Sequence, residues 1–216
     1  MKQYGRNIIQ QGDALELLRS LPDGCTPLVF FDPQFRECLD KLAYGNEGKS
    51  RQKDRHTLPA MSSNYIDACC CEIARVLTPS GYLMRWIDKF GLCEGIHLRI
   101  TEPKRVDLIS WDNGRMPGGN GWRSRYCGDH LLVLQKKPKA AKATWRDHGI
   151  RDRWIEKVDR GVHPHAKPLG LIKRLIAATT HPGDLVVDPA AGSFGVMHAA
   201  IELGREFVGV DICAGF

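Results

Sequence analysis

The segment Phe30-Phe31-Asp32-Pro33-Gln34-Phe35 ends an apolar run with a carboxylate, a rigid proline and an aromatic ring. An ordinary strand-ending turn explains it, because proline cannot continue a β-ladder and aspartate favours turns. The same groups would also place a hydrogen-bond acceptor and a flat ring at the edge of a sheet, as a binding site requires. Taken alone, this segment leaves both interpretations open.

A second segment with possible chemistry is DLVVDPAAGSFG, residues 184–195, in which an apolar strand stops at Asp188-Pro189 and enters a loop of small residues. Gly192 and Gly195 would let the backbone approach a ligand without Cβ clashes. The following strand ends in Asp211, placed to accept hydrogen bonds from ribose hydroxyls. The pattern predicts the nucleoside-binding half of a doubly wound sheet, and a tight structural turn is the alternative for the loop.

The elements that must position these groups alternate between strands and helices, which predicts an α/β fold with a largely parallel sheet. We expect one domain over residues 1–216, with a mobile basic loop near 36–60 and a small basic insertion near 136–162. Strands are predicted at 7–10, 27–31, 81–87, 105–111, 130–136, 184–188 and 205–211. Amphipathic patterns predict helices after Asp13 and at 64–77, 167–180 and 196–204.

Composition indicates a soluble globular protein, with 43% hydrophobic and 26% charged residues and no apolar run long enough for a membrane span. We therefore expect a cytoplasmic protein that does not contact a membrane. Its eight cysteines form no CxxC pair, so no metal site is predicted.

Positive charge is concentrated in two segments. Residues 99–160 hold 15 lysines and arginines against 8 acids, and residues 49–56 form a second basic stretch. Clustered positive charge favours a polyanion such as nucleic acid, and a solvated face is the alternative. The candidate nucleic-acid-binding residues are Lys49, Arg51, Lys53, Arg55, Arg115, Arg123 and Arg125.

Four segments together resemble one enzyme family. DPAAGSFG resembles the DPFAGSGT-type cofactor loop of amino-group DNA methyltransferases, and FFDPQF resembles their catalytic [DN]-P-P-[YFW] tetrapeptide. HPHAKPLGLIKRLI is similar to the helix before that loop, and GDALELLRSLPDG to the segment before the catalytic strand. The tetrapeptide comes first and the cofactor loop last, an order typical of the circularly permuted β class of N6-adenine and N4-cytosine enzymes. A nicotinamide-binding protein would instead open with its glycine loop.

The resemblance implies a circularly permuted Rossmann-like methyltransferase fold and S-adenosylmethionine as the cofactor. It implies double-stranded DNA as the partner, with the target base flipped out, and a possible homodimer. The implied catalytic residues are Asp32, Pro33, Gln34 and Phe35, whose ring would stack on the base. The implied cofactor-binding residues are Asp13, Phe31, His163, Lys167, Asp188, Pro189, Ala190, Gly192, Ser193 and Asp211. Helix capping is the alternative role for Asp13, and a surface position at a helix start is the alternative for His163 and Lys167.

We expect a site-specific N6-adenine DNA methyltransferase of the restriction-modification type, because aspartate at the first catalytic position favours adenine in this family. N4-cytosine, RNA adenine and a catalytically degenerate binding module remain alternatives. Two departures bear on the last of these. Gln34 replaces the second proline of the tetrapeptide, and Phe194 replaces a glycine, which we expect to crowd the cofactor loop.

Overall fold

The computed structural model describes residues 3–34, 61–114, 127–158 and 166–213. Within these ranges seven strands form one sheet in the order β5-β3-β4-β2-β1-β6-β7. The strands are β1 Thr26–Phe31, β2 Leu77–Ile87, β3 Lys104–Asp112, β4 His130–Gln135, β5 Arg153–Ile155, β6 Leu185–Asp188 and β7 Glu206–Gly209. The helices are α1 Ala14–Ser20, α2 Ser63–Val76, α3 Lys89–Cys93, α4 Ala141–Thr144, α5 Leu169–Thr179 and α6 Gly195–Glu202.

The sheet is mixed but largely parallel. Only β4, among the described strands, runs opposite to its neighbours β2 and β3, and the other four pairings are parallel. The prediction of an α/β fold with a doubly wound, mostly parallel sheet is therefore confirmed. The circular permutation stays a prediction, because it concerns the order of motifs relative to other proteins.

Helices cover both faces of the sheet. Along β1, Leu28 and Phe30 pack into one core cluster with residues of α5 and α6. Val29 and Phe31 pack into the other with residues of α1 and α2. Side chains alternate between the two faces with the period of two that strand geometry imposes. Because both faces are covered, the central strand reads as a continuous apolar run.

The N-terminal segment differs from its prediction. The expected strand at 7–10 is wrong, since these described residues belong to no strand, and Gln11, next in the chain, forms an isolated bridge with Asp211. Asn7 has a left-handed backbone with φ of 58°, which interrupts an extended run. The segment is instead held beside β7 by hydrogen bonds such as that from Gln10 Nε2 to the Gly209 carbonyl, 3.1 Å.

The described part of residues 136–162 joins the sheet. β5 pairs in parallel with β3 at the sheet edge. Trp145 and Trp154 pack against the core cluster on the α5 face. No helix in the described ranges is long and apolar enough to cross a membrane.

Candidate active site

The two motifs lie at neighbouring strand ends. β1 pairs in parallel with β6, Leu28 opposite Val186 and Val29 opposite Val187. Asp32 follows the last residue of β1, and Asp188 ends β6. From these two strand ends the polypeptide continues to opposite sides of the sheet. The strand that follows β1, which is β2, lies on one side of the β1–β6 pair, and the strand that follows β6, which is β7, lies on the other. Crevices at such switch points bind ligands in open α/β sheets.

The Asp32 carboxylate forms an ion pair at this edge. Lys167 Nζ lies 2.9 Å from Asp32 Oδ2 and 3.2 Å from Asp129 Oδ2. The ammonium also lies 5.2 Å from the centroid of the Trp86 ring, within cation–π range. Burial lowers the pKa of Lys167, but the two carboxylates outweigh it and raise that pKa above its ordinary value. Lys167 is therefore a fixed cation between two acids.

Asp188 lies on the floor of the same crevice. Its side chain is buried, and Oδ1 accepts a hydrogen bond from the Ala190 N–H at 3.2 Å. Burial raises the pKa of the Asp188 carboxyl well above its ordinary value, and the charges of Asp32 and Asp211 act in the same direction. Three carboxylates thus create a site that favours positive charge.

The loop after β6 is hydrogen-bonded to the side chain of Asp211. Gly192 has φ of 51°, a left-handed backbone that glycine adopts without strain, and its N–H donates to Asp211 Oδ2 at 2.9 Å. Asp211 Oδ1 accepts from the Cys213 N–H at 2.9 Å. Pro189 and Ala190 form the turn directly after Asp188, and Ser193 is half-buried. Asp211 therefore holds the loop by main-chain hydrogen bonds.

Phe194 does not crowd this loop, so that expectation is wrong. The side chain is 2% exposed and packs edge-to-face on Phe207, with ring centroids 6.4 Å apart. Its left-handed backbone, φ of 56°, turns the ring into the core just before α6 begins. The residue that departs from the family pattern thus contributes to packing rather than to the loop surface.

Asp13 serves as a helix cap. Oδ1 accepts from the Glu16 N–H at 2.9 Å and Oδ2 accepts from the Tyr65 hydroxyl at 2.6 Å. Burial and the Asp13 hydrogen bond raise the pKa of Tyr65. A cofactor contact of Asp13 stays a prediction.

The remaining predicted residues divide into two groups. Phe31 is completely buried in the core, Pro33 is buried, and the Gln34 carbonyl accepts from the Met61 N–H. Their predicted roles are untested by these positions. The following predicted residues lie outside the described ranges: Phe35, His163, Lys49, Arg51, Lys53, Arg55, Arg115, Arg123 and Arg125.

Two site residues escaped the sequence analysis. Asp129 precedes β4, and Trp86 is the second-to-last residue of β2. An acid immediately before an apolar strand was a weak signal for Asp129, because only the antiparallel direction of β4 brings its start to the edge where β1 and β2 end. Trp86 carried no signal beyond an apolar position in a strand.

A groove is lined by Gly128 and His130, the two residues that flank Asp129 in the chain. It encloses about 380 Å³ and is lined by residues including Lys89, Trp111, Asp112, His130 and Arg153. Arg153 Nη2 lies 3.2 Å from Asp112 Oδ2, and Ser110 Oγ lies 3.0 Å from His130 Nδ1. The groove presents cations, acids and an aromatic residue beside the site.

The arrangement suits a reaction that needs a hydrogen-bond acceptor and an environment for positive charge, with the reactants held in place. Asp32 is the most open of the three charged partners: its side chain is 38% exposed, against 18% for Lys167 and 16% for Asp129. A ligand in the crevice would therefore meet Asp32 first.

Comparison with known proteins gives one family. The family model described as DNA methylase, for N6 and N4 enzymes, matches residues 28–216. The chain is 42% identical over 206 residues to the Type II methyltransferase M.HhaII of Haemophilus parahaemolyticus, covering 94% of this chain and 90% of that protein. It is 52% identical over 239 aligned residues to the DNA adenine methyltransferase YhdJ of Escherichia coli (strain K12), covering 94% and 78%.

Solved structures share the fold at low identity. TTHA0409 of Thermus thermophilus, complexed with S-adenosyl-L-methionine, matches with a TM-score of 0.65 and 21% identity over 95% of this chain and 88% of that one. The cytosine-N4-specific PvuII DNA methyltransferase matches with a TM-score of 0.71 and 17% identity over 97% and 86%.

Proposed function

The chain belongs to the DNA methylase family of N6-adenine and N4-cytosine enzymes, and from this we propose that it transfers a methyl group from S-adenosylmethionine to the N6 amine of adenine in DNA. The observation that carries the proposal is the meeting of Asp32 and buried Asp188 at neighbouring strand ends. Aspartate at the first catalytic position supports adenine, as does the similarity to a relative described as a DNA adenine methyltransferase.

The crevice residues fit this cofactor. S-adenosylmethionine supplies an electrophilic methyl group on a positively charged sulfur and also carries an ammonium group. Asp211 gives the crevice negative charge. Burial and the neighbouring acids raise the pKa of Asp188, so this acid would gain its charge when a positively charged cofactor binds beside it. The residues that would hold the cofactor are Asp188, Pro189, Ala190, Gly192, Ser193 and Asp211, and the predicted contacts of Asp13, Phe31 and His163 belong to the same proposal.

Asp32 and Pro33 would act on the target amine. The lone pair of an exocyclic adenine amine is delocalised into the ring, which makes it a poor nucleophile. The Asp32 carboxylate and the Pro33 carbonyl accept hydrogen bonds from the NH₂ group and draw it toward tetrahedral geometry, which frees the lone pair. Catalysis by position and electrostatics suffices for such a step.

The base must leave the duplex to reach Asp32, since its amine is otherwise paired inside the helix. Phe35 would stack on the extruded base, and the groove beyond Asp129 would contact the adjoining DNA. Lys89 and Arg153 there suit phosphates or guanine edges, and Asp112 suits a cytosine amine. The chain would work as a single domain, with a homodimer as a further prediction from the family.

The proposal is tested by transfer of labelled methyl groups from S-adenosylmethionine to DNA. We expect label in DNA with the natural chain and a loss of at least about 100-fold with Asp32→Ala, because the amine loses its main acceptor. Asp107→Asn, a change at an exposed residue of β3, is the control and should retain activity.

Mass analysis of the digested nucleosides then names the base. N6-methyladenine is the expected product. If the product is N4-methylcytosine, the target base is cytosine and not adenine. If label enters RNA alone, the substrate is RNA and not DNA. Cofactor binding without label in either nucleic acid would indicate a binding module.

A further inference from the structure

Lys167 occupies a position that suits control of Asp32. Its ammonium lies within 3.2 Å of oxygen atoms from Asp32 and Asp129 and over the Trp86 ring. These partners come from the ends or starts of three different strands, β1, β4 and β2. One side chain therefore connects the separate segments that border the crevice.

The two carboxylates paired with Lys167 differ in their surroundings. Asp129 is 16% exposed, and its main-chain carbonyl accepts from the Trp111 N–H at 2.8 Å. Gly128 allows this approach, because a Cβ there would lie 1.8 Å from the Trp111 carbonyl oxygen. Asp129 is thus a fixed anchor, whereas Asp32, at 38% exposure, faces the crevice.

Lys167 lies just before α5, and the first turn of that helix is hydrogen-bonded to Glu156. The side chain of Glu156 accepts hydrogen bonds from the N–H groups of Gly170, 2.8 Å, and Leu171, 3.1 Å. Leu171 and Ile172 are buried in the core. The helix that begins two residues after Lys167 is therefore anchored at its first turn, and the ammonium itself is confined by its contacts with Asp32, Asp129 and Trp86.

We propose that Lys167 is a positioning residue that, anchored by Asp129 and Trp86, orients the Asp32 carboxylate toward the target amine. This inference rests on the proposed function, and it assigns Lys167 to the reacting base rather than to the cofactor. An aspartate side chain at an open strand end has several rotamers, and the ion pair to Oδ2 selects one of them. Asp129 has a part in catalysis only through Lys167.

The test separates turnover from cofactor binding. We expect Lys167→Met to lower kcat at saturating DNA and S-adenosylmethionine by about 10- to 100-fold, the scale of a misplaced catalytic group. The dissociation constant for S-adenosylmethionine, measured by calorimetry, should change by less than about 3-fold. Lys167→Arg should recover part of kcat, since it keeps the positive charge. Lys173→Met, which removes a partly exposed lysine of α5 that pairs with Glu202, is the matched control.

Asp129→Asn provides an independent arm and a safeguard if Lys167→Met fails to fold. It should lower kcat by about 3- to 10-fold with unchanged cofactor affinity. In the Lys167→Met background it should add almost nothing, because the two residues act as one unit.

Three results would overturn the inference. They are an unchanged kcat in Lys167→Met or Asp129→Asn, an S-adenosylmethionine affinity weakened by more than about 3-fold in Lys167→Met, and multiplicative losses in the double variant. Each of these presupposes an active natural chain. A natural chain that binds the cofactor but methylates no nucleic acid would overturn the proposed function, and this inference with it.

Discussion

At the scale of single residues, the acids at the crevice differ in how deeply they are buried and in the groups that contact them. Asp32 is half-exposed and paired with Lys167, whereas Asp188 is buried beside a main-chain donor. Burial of an acid disfavours its charged form, and this cost is tolerated where a ligand later supplies positive charge. We infer that Asp188 lowers the stability of the free protein and raises its affinity for the cofactor.

The pH dependence of stability tests the role of Asp188. Its pKa is raised on folding, so the native state holds the proton more tightly, and stability falls as pH rises from the ordinary aspartate range toward the raised value. Asp188→Asn stays neutral and lacks this loss. The free energy of unfolding of Asp188→Asn minus that of the natural chain should therefore increase across this window, by at most about 1.4 kcal/mol per pH unit.

Urea unfolding at a series of pH values without cofactor provides the measurement. Asp107→Asn, at an exposed position, should show a nearly constant difference. A constant difference for Asp188→Asn as well would contradict the raised pKa. The same variant should bind S-adenosylmethionine more weakly.

Among the helices and strands, α5 illustrates how a distant residue completes a helix. Pro168, at its N-cap, provides no side-chain hydrogen bond to the first turn. Glu156, just after β5, supplies the acceptor and also accepts from Trp154 Nε1 at 2.7 Å. A carboxylate at a helix N-terminus is favourable because the free N–H groups and the helix dipole are positive there.

Removal of this charge should destabilise the protein. We expect Glu156→Gln to lower the free energy of unfolding by about 1–2 kcal/mol, since hydrogen bonds to a charged acceptor are lost or weakened. Glu202→Gln, which removes the charge that pairs α6 with Lys173 of α5, should cost less than about 0.5 kcal/mol, because the Glu202 side chain is 62% exposed. Equal losses of the free energy of unfolding in the two variants, measured by urea unfolding, would show that the cap at α5 stabilises the protein no more than the ion pair at Glu202 does.

Across the whole molecule, the sheet continues from β7 to β5, and helices cover both of its faces. The two core clusters lie on opposite faces of the same central strands. Loss of packing on one face would therefore expose strands that also support the cluster on the other face. Such an arrangement predicts one cooperative unit.

Thermal unfolding should accordingly show one transition. Saturation with S-adenosylmethionine at about 100 times its dissociation constant should stabilise the whole protein by about 2.7 kcal/mol, because the ligand binds only the folded state. Calorimetry measures both. Two separate transitions, of which only one responds to the ligand, would contradict the single-domain prediction.

Much of the fold follows from local patterns in the sequence. Apolar runs bounded by turn residues located β1, β2, β4 and β6, and helical spacing located α2 and α5. The same reasoning failed at residues 7–10, where hydrogen bonds to β7 and a left-handed Asn7 replaced a strand. It also missed β5, because three residues in a basic segment carry too little periodicity to stand out.

Local patterns were enough to predict the family, the fold class and the two segments at the centre of the site, because turn chemistry and apolar periodicity are properties of short stretches of chain. The folded chain was needed to establish that Lys167 meets Asp32 and Asp129 and that Phe194 lies in the core. These ion pairs depend on where the chain just before α5 meets the end of β1 and on the direction of β4. These relations join segments remote in the chain, so no local pattern encodes them.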